Sequence, residues 1–496
     1  MEGEAPQGRT VDEANALLRE LWAATQAVRA ELSALRGEQA ALQARVAELE
    51  ARLGQNSANS SRPPSSDPPS ASAPPKRPPS GRKPGGQPGH RAHQRLLEPP
   101  ERVDHLIPVW PGRCRRCGLA LPQTPEWLAT APERHQVSEL PPVRVEVTEY
   151  QLQRVRCPCC GEQTRAALPP GVPTGAFGPR LQAAVAVLSG RYRLSRRAVV
   201  GVLGDLIGAD VALGSVDALC RETAAALARP MADLAQAVRA APVANADETS
   251  WRQAGKPCWL WVVTTGLATV FTIARSRGGD VLKGLLGEDF AGVVSSDRWT
   301  AYLWLGVLRR QLCWAHLKRD FQGLVDRGGA AKEIGQPALD LTTRPFATWH
   351  AARADPVARE ALPRTMQPIR TEFRALLEAG QASPSAKAAS LCRALLALWP
   401  ALWTFVSVPG VEPTNNAAER AVRPAVLWRK QSLGAQTDAG NQFVARLLSV
   451  ATTCQQQQRP LLDYLTAVCT AALRGEPIPS LLPAPALATP PAVLTP

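Results

Sequence analysis

Residues 55–100 read QNSANSSRPPSSDPPSASAPPKRPPSGRKPGGQPGHRAHQRLLEPP, and no packed core can be built from them. Proline removes backbone donors, and serine and glycine bury little apolar surface. The tract therefore reads as a flexible linker. It holds seven Lys/Arg against two acids, about +5. Lys76, Arg77, Arg82 and Lys83 make its basic centre, and basic residues on a flexible arm neutralise phosphates and release counterions. The Ser/Pro half reads equally well as a solvated spacer.

Before the tract, residues 11–54 carry a heptad. Leu21, Val28, Leu35, Leu42 and Leu49 recur every seven positions, with Val11, Leu18, Leu32, Val46 and Leu53 between them and Thr25 and Gln39 as polar interruptions. Two apolar series at alternating spacings of three and four make a coiled-coil seam, which implies a homo-oligomer of at least two chains.

After the tract, residues 101–170 contain Cys114-Arg-Arg-Cys117-Gly and Cys157-Pro-Cys-Cys160-Gly. Two C-x-x-C-G knuckles suit a tetrahedral, structural Zn²⁺ held by Cys114, Cys117, Cys157 and Cys160, with Cys159 an alternative to Cys157. Four thiolates leave no open position for chemistry. Alternation at Val143, Val145 and Val147 predicts a strand between the knuckles. Six of the eleven cysteines are scattered singly, which argues for a reducing compartment. The 57 Lys+Arg against 43 Asp+Glu give +14, a balance suited to a polyanionic partner. No apolar run is long enough to cross a membrane, and the expected location is the cytoplasm, associated with the nucleoid.

Residues 171–235 read as helices, with Ser195 and Ser215 as N-caps around the GADVALG turn. A helix-turn-helix and a plain helical bundle both fit, and no base-reading residue is singled out.

From 243 the pattern changes to short apolar strands: VANADETSW, PCWLWVVTT and ATVFTIARS, then a helix over GGDVLKGLLGE, then DFAGVVSSD. A fifth strand (VLRRQLCW) and a helix (AHLKRDFQGLV) come next. This order matches the opening of an RNase H-like fold, with Asp247 on the first strand and Asp297 at the end of the fourth. Residues 331–405 read as a helical insertion, and a helix from Asn415 carries Glu419. Three carboxylates from distant elements can hold a pair of divalent metals, which clamp the attacking and leaving oxygens of a phosphodiester. Mg²⁺, or Mn²⁺, suits all-oxygen ligands. Each acid alone has a structural reading, as a turn residue, a cap or an ion-pair partner. Arg423, Arg429 and Lys430 are candidate phosphate contacts beside Glu419. Cys313 and His316 form a C-x-x-H pair without further ligands in the sequence nearby. Core packing is the simpler reading, with a supporting role for His316 left open. The boundaries are thus 240–330 and 406–455 for the two parts of the core, 456–475 for a C-terminal helical segment and 476–496 for a Pro-rich disordered tail.

NSANSSRPPSSD, GGQPGH, the two Cys knuckles, DET at 247, SSDRWTAY, QLCWAHLKRDF, NNAAERAVRP and NQFVARLLSVATTCQQQQRPLLDYL occur in that order. By these blocks the chain resembles the DDE transposases of insertion-sequence family 66 from about residue 14 to 474. The resemblance implies a multidomain α/β chain: a zipper, a zinc-ribbon-like domain, a helical domain and an RNase H-like core with a helical insertion. It implies Asp247, Asp297 and Glu419 as catalytic triad, terminal inverted repeats and target DNA as substrates, and accessory transposition proteins as partners. Two alternatives remain: a domesticated or inactive transposase that only binds DNA, and an RNase H-like nuclease that cuts without joining.

Overall fold

The computed structural model describes residues 10–56, 59–60 and 95–483. Lys76, Arg77, Arg82, Lys83 and the end of the Pro-rich tail lie outside them. The chain packs as two compact units. Of the described residues, one takes 10–56, 59–60, 149–201 and 211–483, and the other takes 95–148 with 202–210.

Helix α1 (Val11–Leu53) begins at a capping box. The Thr10 hydroxyl accepts from the Glu13 N–H, and the Thr10 N–H donates to the Glu13 carboxylate at 3.1 Å. Its heptad residues stay bare in a single chain: Leu21, Val28, Leu35, Leu42 and Leu49 are 44–67% exposed.

The residues just past α1 depart from the linker reading. The Asn59 side-chain oxygen accepts from the Asn56 N–H at 2.8 Å. The Asn59 amide donates to the Gly54 carbonyl and to Asp326 at 2.8 Å. This clasp sits on Gly323, where any Cβ would come within 2.3 Å of the Asn59 carbonyl oxygen. The side-chain amides of the NSANS motif supply the hydrogen bonds that a Ser/Pro tract lacks.

Strands β1 (Arg154–Arg156) and β2 (Gln163–Arg165) form a short antiparallel ribbon. The strand expected at 143–147 does not form. Pairing is made instead by residues flanking the second knuckle, whose turn brings two strands together. Helices α2 (Pro179–Ala186), α3 (Arg196–Ile207), α4 (Leu213–Ala226) and α5 (Ala228–Arg239) come after the ribbon. Ser195 caps α3 through the Ala198 N–H. However, α4 starts at Leu213, so Ser215 lies inside its first turn.

The central sheet comprises β3 (Val243–Gln253), β4 (Lys256–Thr264), β5 (Thr269–Ala274), β6 (Val293–Ser296) and β7 (Arg310–Leu312), in the order β5-β4-β3-β6-β7. β3, β4 and β5 are an antiparallel meander, whereas β6 and β7 run parallel to β3. Helix α6 (Gly279–Leu286) makes the crossover from β5 to β6. The β3–β4 hairpin turns on Ala254 and Gly255, both at positive φ, as a two-residue turn of that twist demands.

Both sheet edges are covered, which removes the exposed donors and acceptors that invite aggregation. After α7 (Trp314–Arg327), the insertion is built from α8 (Gly329–Leu341), α9 (Thr343–Ala354), α10 (Pro356–Gly380), α11 (Ala386–Ala397), α12 (Trp399–Leu402) and α13 (Thr404–Ser407). It serves the β7 edge: Thr404 donates to the Arg310 carbonyl, and Gln311 accepts from the Phe405 N–H. Its core gathers Trp314, Phe321, Phe373 and Trp403 with buried leucines. Beyond α14 (Asn416–Ser432), α15 (Asp438–Gln456) serves the other edge. Ser449 and Thr453 there accept from the N–H groups of Phe271 and Thr269.

Helix α16 (Leu461–Arg474) ends the helical series. The chain after it is ordered further than its composition predicts. Leu481 is buried, and the carbonyls of Pro479 and Ser480 accept from Tyr464 and Arg459.

Gly323→Ala should leave α7 intact, since alanine is the better helix former by about 0.5–1 kcal/mol. It should push the clasp off its seat. Hydrogen exchange at the Asn56 and Asn59 amides should quicken while the urea unfolding midpoint holds or rises. Unchanged exchange would mean that the clasp does not rest on Gly323.

Candidate active site

Strand register brings the two aspartates together. Asn245 on β3 is paired with Ser295 on β6 in a parallel ladder. Asp247 and Asp297 each lie two residues further along, Asp247 within β3 where it continues past the paired stretch and Asp297 just beyond the end of β6, and both line the same cleft.

Glu419 arrives from α14, which lies along β3. At its start, the buried Asn415 donates from its side-chain amide to the Ala246 carbonyl at 2.8 Å, next to Asp247. The Asn415 N–H also donates to the Cys313 sulfur at 3.2 Å. The far end of the helix is tied down as well. The Ala435 N–H donates to the Arg252 carbonyl and the Ala435 carbonyl accepts from the Ala254 N–H, next to Gly434, whose positive φ and close approach to Arg252 exclude a side chain. Glu419 is therefore fixed relative to Asp247 at both ends of the helix. An N-cap role for Asn416 with Glu419 is not used: Asn415 is the cap residue, and Glu419 points into the cleft.

Asp247, Glu248, Asp297, His316, Arg319, Asp320 and Glu419 line one cleft of about 1310 Å³. The end of α1 and the Asn59 clasp form part of its wall. Burial, followed by the charges of Glu248, Asp297 and Glu419, pushes the Asp247 carboxyl well above the ordinary carboxylate range. Burial also raises Asp297, opposed by the Trp299 N–H and by Arg277, Arg298 and Arg310. Asp247 keeps one side open to the cleft, yet its nearest charges are all negative. A buried Asp247 carboxylate surrounded by the charges of other acids supplies the kind of oxygen ligand that a divalent cation fits.

Sequence reasoning passes over four neighbours. The Glu248 side chain is buried and bonded to Arg277 at 2.8 Å and to the Tyr302 hydroxyl at 2.7 Å. Strand alternation assigns it to the face opposite Asp247, so pattern alone could not recruit it. Arg319 approaches Glu419 at 3.4 Å, and its spacing of three from His316 is the signal that could have found it. Arg277 and Asn415 give no signal, because their roles depend on tertiary approach.

His316 is more than a core residue. Its Nδ1 lies 3.5 Å from the Glu419 carboxylate. Burial, reinforced by Arg319, lowers its pKa to about 4, so the contact is polar but not an ion pair at neutral pH. Cys313, His316 and Glu419 present ligand-type atoms within 4.8 Å of one another. Trp314 beside them is core, its indole N–H on the Leu402 carbonyl.

Among the candidate phosphate contacts, Arg423 and Lys430 are exposed on the cleft side of α14. Arg429 turns to the Ser250 hydroxyl. The knuckles are matched in detail. The Cys114 N–H donates to Leu119 and the Gly118 N–H to Cys114, just as Cys157 donates to Glu162 and Gly161 to Cys157. Gly118 and Gly161 have φ of 74° and 75°. In each, backbone N–H groups of the knuckle lower the first thiol, Cys114 or Cys157. Cys157 and Cys160 thus correspond to Cys114 and Cys117, and Cys159 is the odd residue.

Residues 174–443, more than half of the chain and all three acids, match the model of the "Transposase IS66 family". The chain belongs to the IS66 transposase family. Residues 3–96 match a separate family of unknown function, DUF6444, which spans the heptad and most of the linker. A curated relative, the uncharacterized protein y4qI of Sinorhizobium fredii, is 27% identical over 258 residues, 45% of this chain and 46% of that protein. The chain thus spans about half the length of the curated relative it matches. In this IS66-family chain no described helix is long and apolar enough to cross a membrane.

A carboxyl whose folded pKa is raised takes up its proton before the unfolded chain does, so stability rises as pH falls through that window. Asp247→Asn removes the buried charge. It should be more stable than wild type at neutral pH by about 1–3 kcal/mol, the usual cost of a poorly satisfied buried group. The difference should shrink as pH is lowered. Urea midpoints across a pH series would test this, and a gap independent of pH would contradict it.

Proposed function

We propose that this chain is a DNA transposase that cleaves phosphodiesters at element ends and joins the freed 3′-OH to target DNA. The observation that carries the reading is the meeting of Asp247, Asp297 and Glu419 at one cleft with mutually raised negative potential. The strand order and the parallel β3–β6 pair support an RNase H-like core for it.

The three acids would hold Mg²⁺ or Mn²⁺. Bound there, the metal supplies an activated water or 3′-hydroxyl and neutralises charge developing on the phosphate. The chain's own residues do the rest. Asn415 and Gly434 hold Glu419 against β3. Arg298, engaged by Asp320 at 2.7 Å, and Arg310, under the Asp297 carbonyl, keep Asp297 oriented. Arg423 and Lys430 on the exposed rim would take DNA phosphates and set the register of the strand. Arg429 braces α14 on β3. The basic linker residues Lys76, Arg77, Arg82 and Lys83 would add non-specific affinity that falls with salt. The bare heptad of α1 would pair two chains, bringing two element ends together.

With Mg²⁺ and DNA carrying the element's ends, wild type should cut and join. Asp297→Asn should lose at least about 10³-fold in rate, as expected when a metal ligand of the reaction is removed, while gel-shift affinity stays within a few-fold. Binding without cleavage by wild type would favour a DNA-binding regulator instead, and cleavage without joining a simple nuclease.

For the knuckles, structural zinc is the proposal. Cys160→Ser should lower the zinc content of purified protein, and Cys159→Ser should not. Equal zinc loss in both variants would overturn the pairing of Cys157 with Cys160.

A further inference from the structure

Beside the acids stands an aromatic group that the proposed chemistry does not use. Trp299 comes two residues after Asp297, and its backbone N–H donates to the Asp297 carboxylate at 2.9 Å. Its indole N–H donates to the Arg277 carbonyl at 3.3 Å, and the residue is 37% exposed on the rim of the cleft. The Arg277 guanidinium lies 4.0 Å from the Trp299 ring centre and 4.4 Å from that of Trp259. The Glu248 side chain, 2% exposed, fixes the guanidinium at 2.8 Å and is itself held by Tyr302. The result is a Trp–Arg–Trp ladder rooted in a buried carboxylate and ending in a partly open indole.

Packing alone explains the inner rungs but not the outer one. Leaving part of the largest apolar side chain in water forgoes burial energy. Here it is left open next to groups suited to phosphate chemistry, where the planar partner that accompanies a phosphate is a nucleobase. Bases stack on aromatic side chains with little regard to sequence, and the cleft volume of about 1310 Å³ exceeds that of a typical small-molecule pocket. An extruded nucleotide fits such a space.

We propose that Trp299 is the stacking platform for an unpaired nucleobase adjacent to the phosphate presented to the acids. The Arg277–Glu248 pair holds the indole in place, and the base must leave its duplex partner to reach it. This inference rests on the reading of the cleft as a DNA site.

The test uses the full-length protein, without catalytic metal, and two probes: a perfectly paired duplex and the same duplex carrying a mismatch bubble with 2-aminopurine. Trp299→Ala should weaken bubble binding by about fivefold to 100-fold, the range for loss of one base–aromatic stack. Duplex binding should change by less than about twofold. Trp299→Phe, which keeps a ring, should restore most of the difference. Quenching of 2-aminopurine seen with wild type should be lost in the alanine variant. Equal weakening on both probes, no weakening, or failure of phenylalanine to rescue would overturn the stacking role. The outcome is independent of chemistry: a wild type that prefers the bubble through Trp299 but never cuts element-end DNA once Mg²⁺ is supplied would sink the transposase reading alone. A wild type that binds neither probe would sink both.

Discussion

The site depends on one long contact, the strapping of α14 along β3. From Ala246 to Arg252 the strand covers about 20 Å, and α14 (Asn416–Ser432) covers about 25 Å. The helix is tied to the strand near both of its ends. Asn415 makes one tie at the Ala246 carbonyl, and Gly434 with Ala435 makes the other at Arg252. Between them, Trp428 meets Trp251 edge-on at 6.5 Å, and Trp251 donates to Asn441 at the start of α15. Glu419 lies one turn into this clamped helix. Loosening either tie would let it swing from Asp247 without any change in the acids themselves.

The clamp has to be firm because the charges it gathers repel. Asp247, Glu248, Asp297 and Glu419 crowd one cleft, and burial makes each repulsion stronger than it would be in water. Glu248 is paired with Arg277 at 2.8 Å and Glu419 with Arg319 at 3.4 Å, whereas the charges that act on Asp247 are those of the other acids. Holding like charges together in a folded chain costs stability. Proteins commonly accept that cost at functional sites, where the rest of the structure over-determines the geometry. The covered sheet edges serve the same end. The helical insertion on β7 and α15 on β5 lock the outer strands, so the register Asn245–Ser295 that aligns the aspartates has no freedom to slip.

Legibility from sequence varied with the range of the interaction. The five-strand order, the crossover helix and the long helix of the heptad came from local periodicity. So did the Ser195 cap. Where a segment's fate turned on a distant partner, reading failed. Asn59 docks on Gly323, Leu481 is buried beyond the expected end of order, and Ser215 lies inside a helix. The strand expected at 143–147 was an alternation with no partner to pair it. Glu248 was hidden because alternation assigns neighbours on a strand to opposite faces, while the cleft takes in both Asp247 and Glu248.

By itself, the sequence determined which residue types could do metal-dependent phosphate chemistry, because a carboxylate on a strand, one just past a strand and one at a helix start are chemical facts of the chain. It also determined the thiol knuckles and the apolar heptad, since each is a local pattern of fixed spacing. Tertiary structure alone decided that Asn415 anchors Glu419, that Arg319 and His316 face that carboxylate, and that Arg277 stands between two tryptophans at the rim. Those relations join residues far apart in the chain, and side-chain packing and backbone hydrogen bonding set them only once the strands and helices have met.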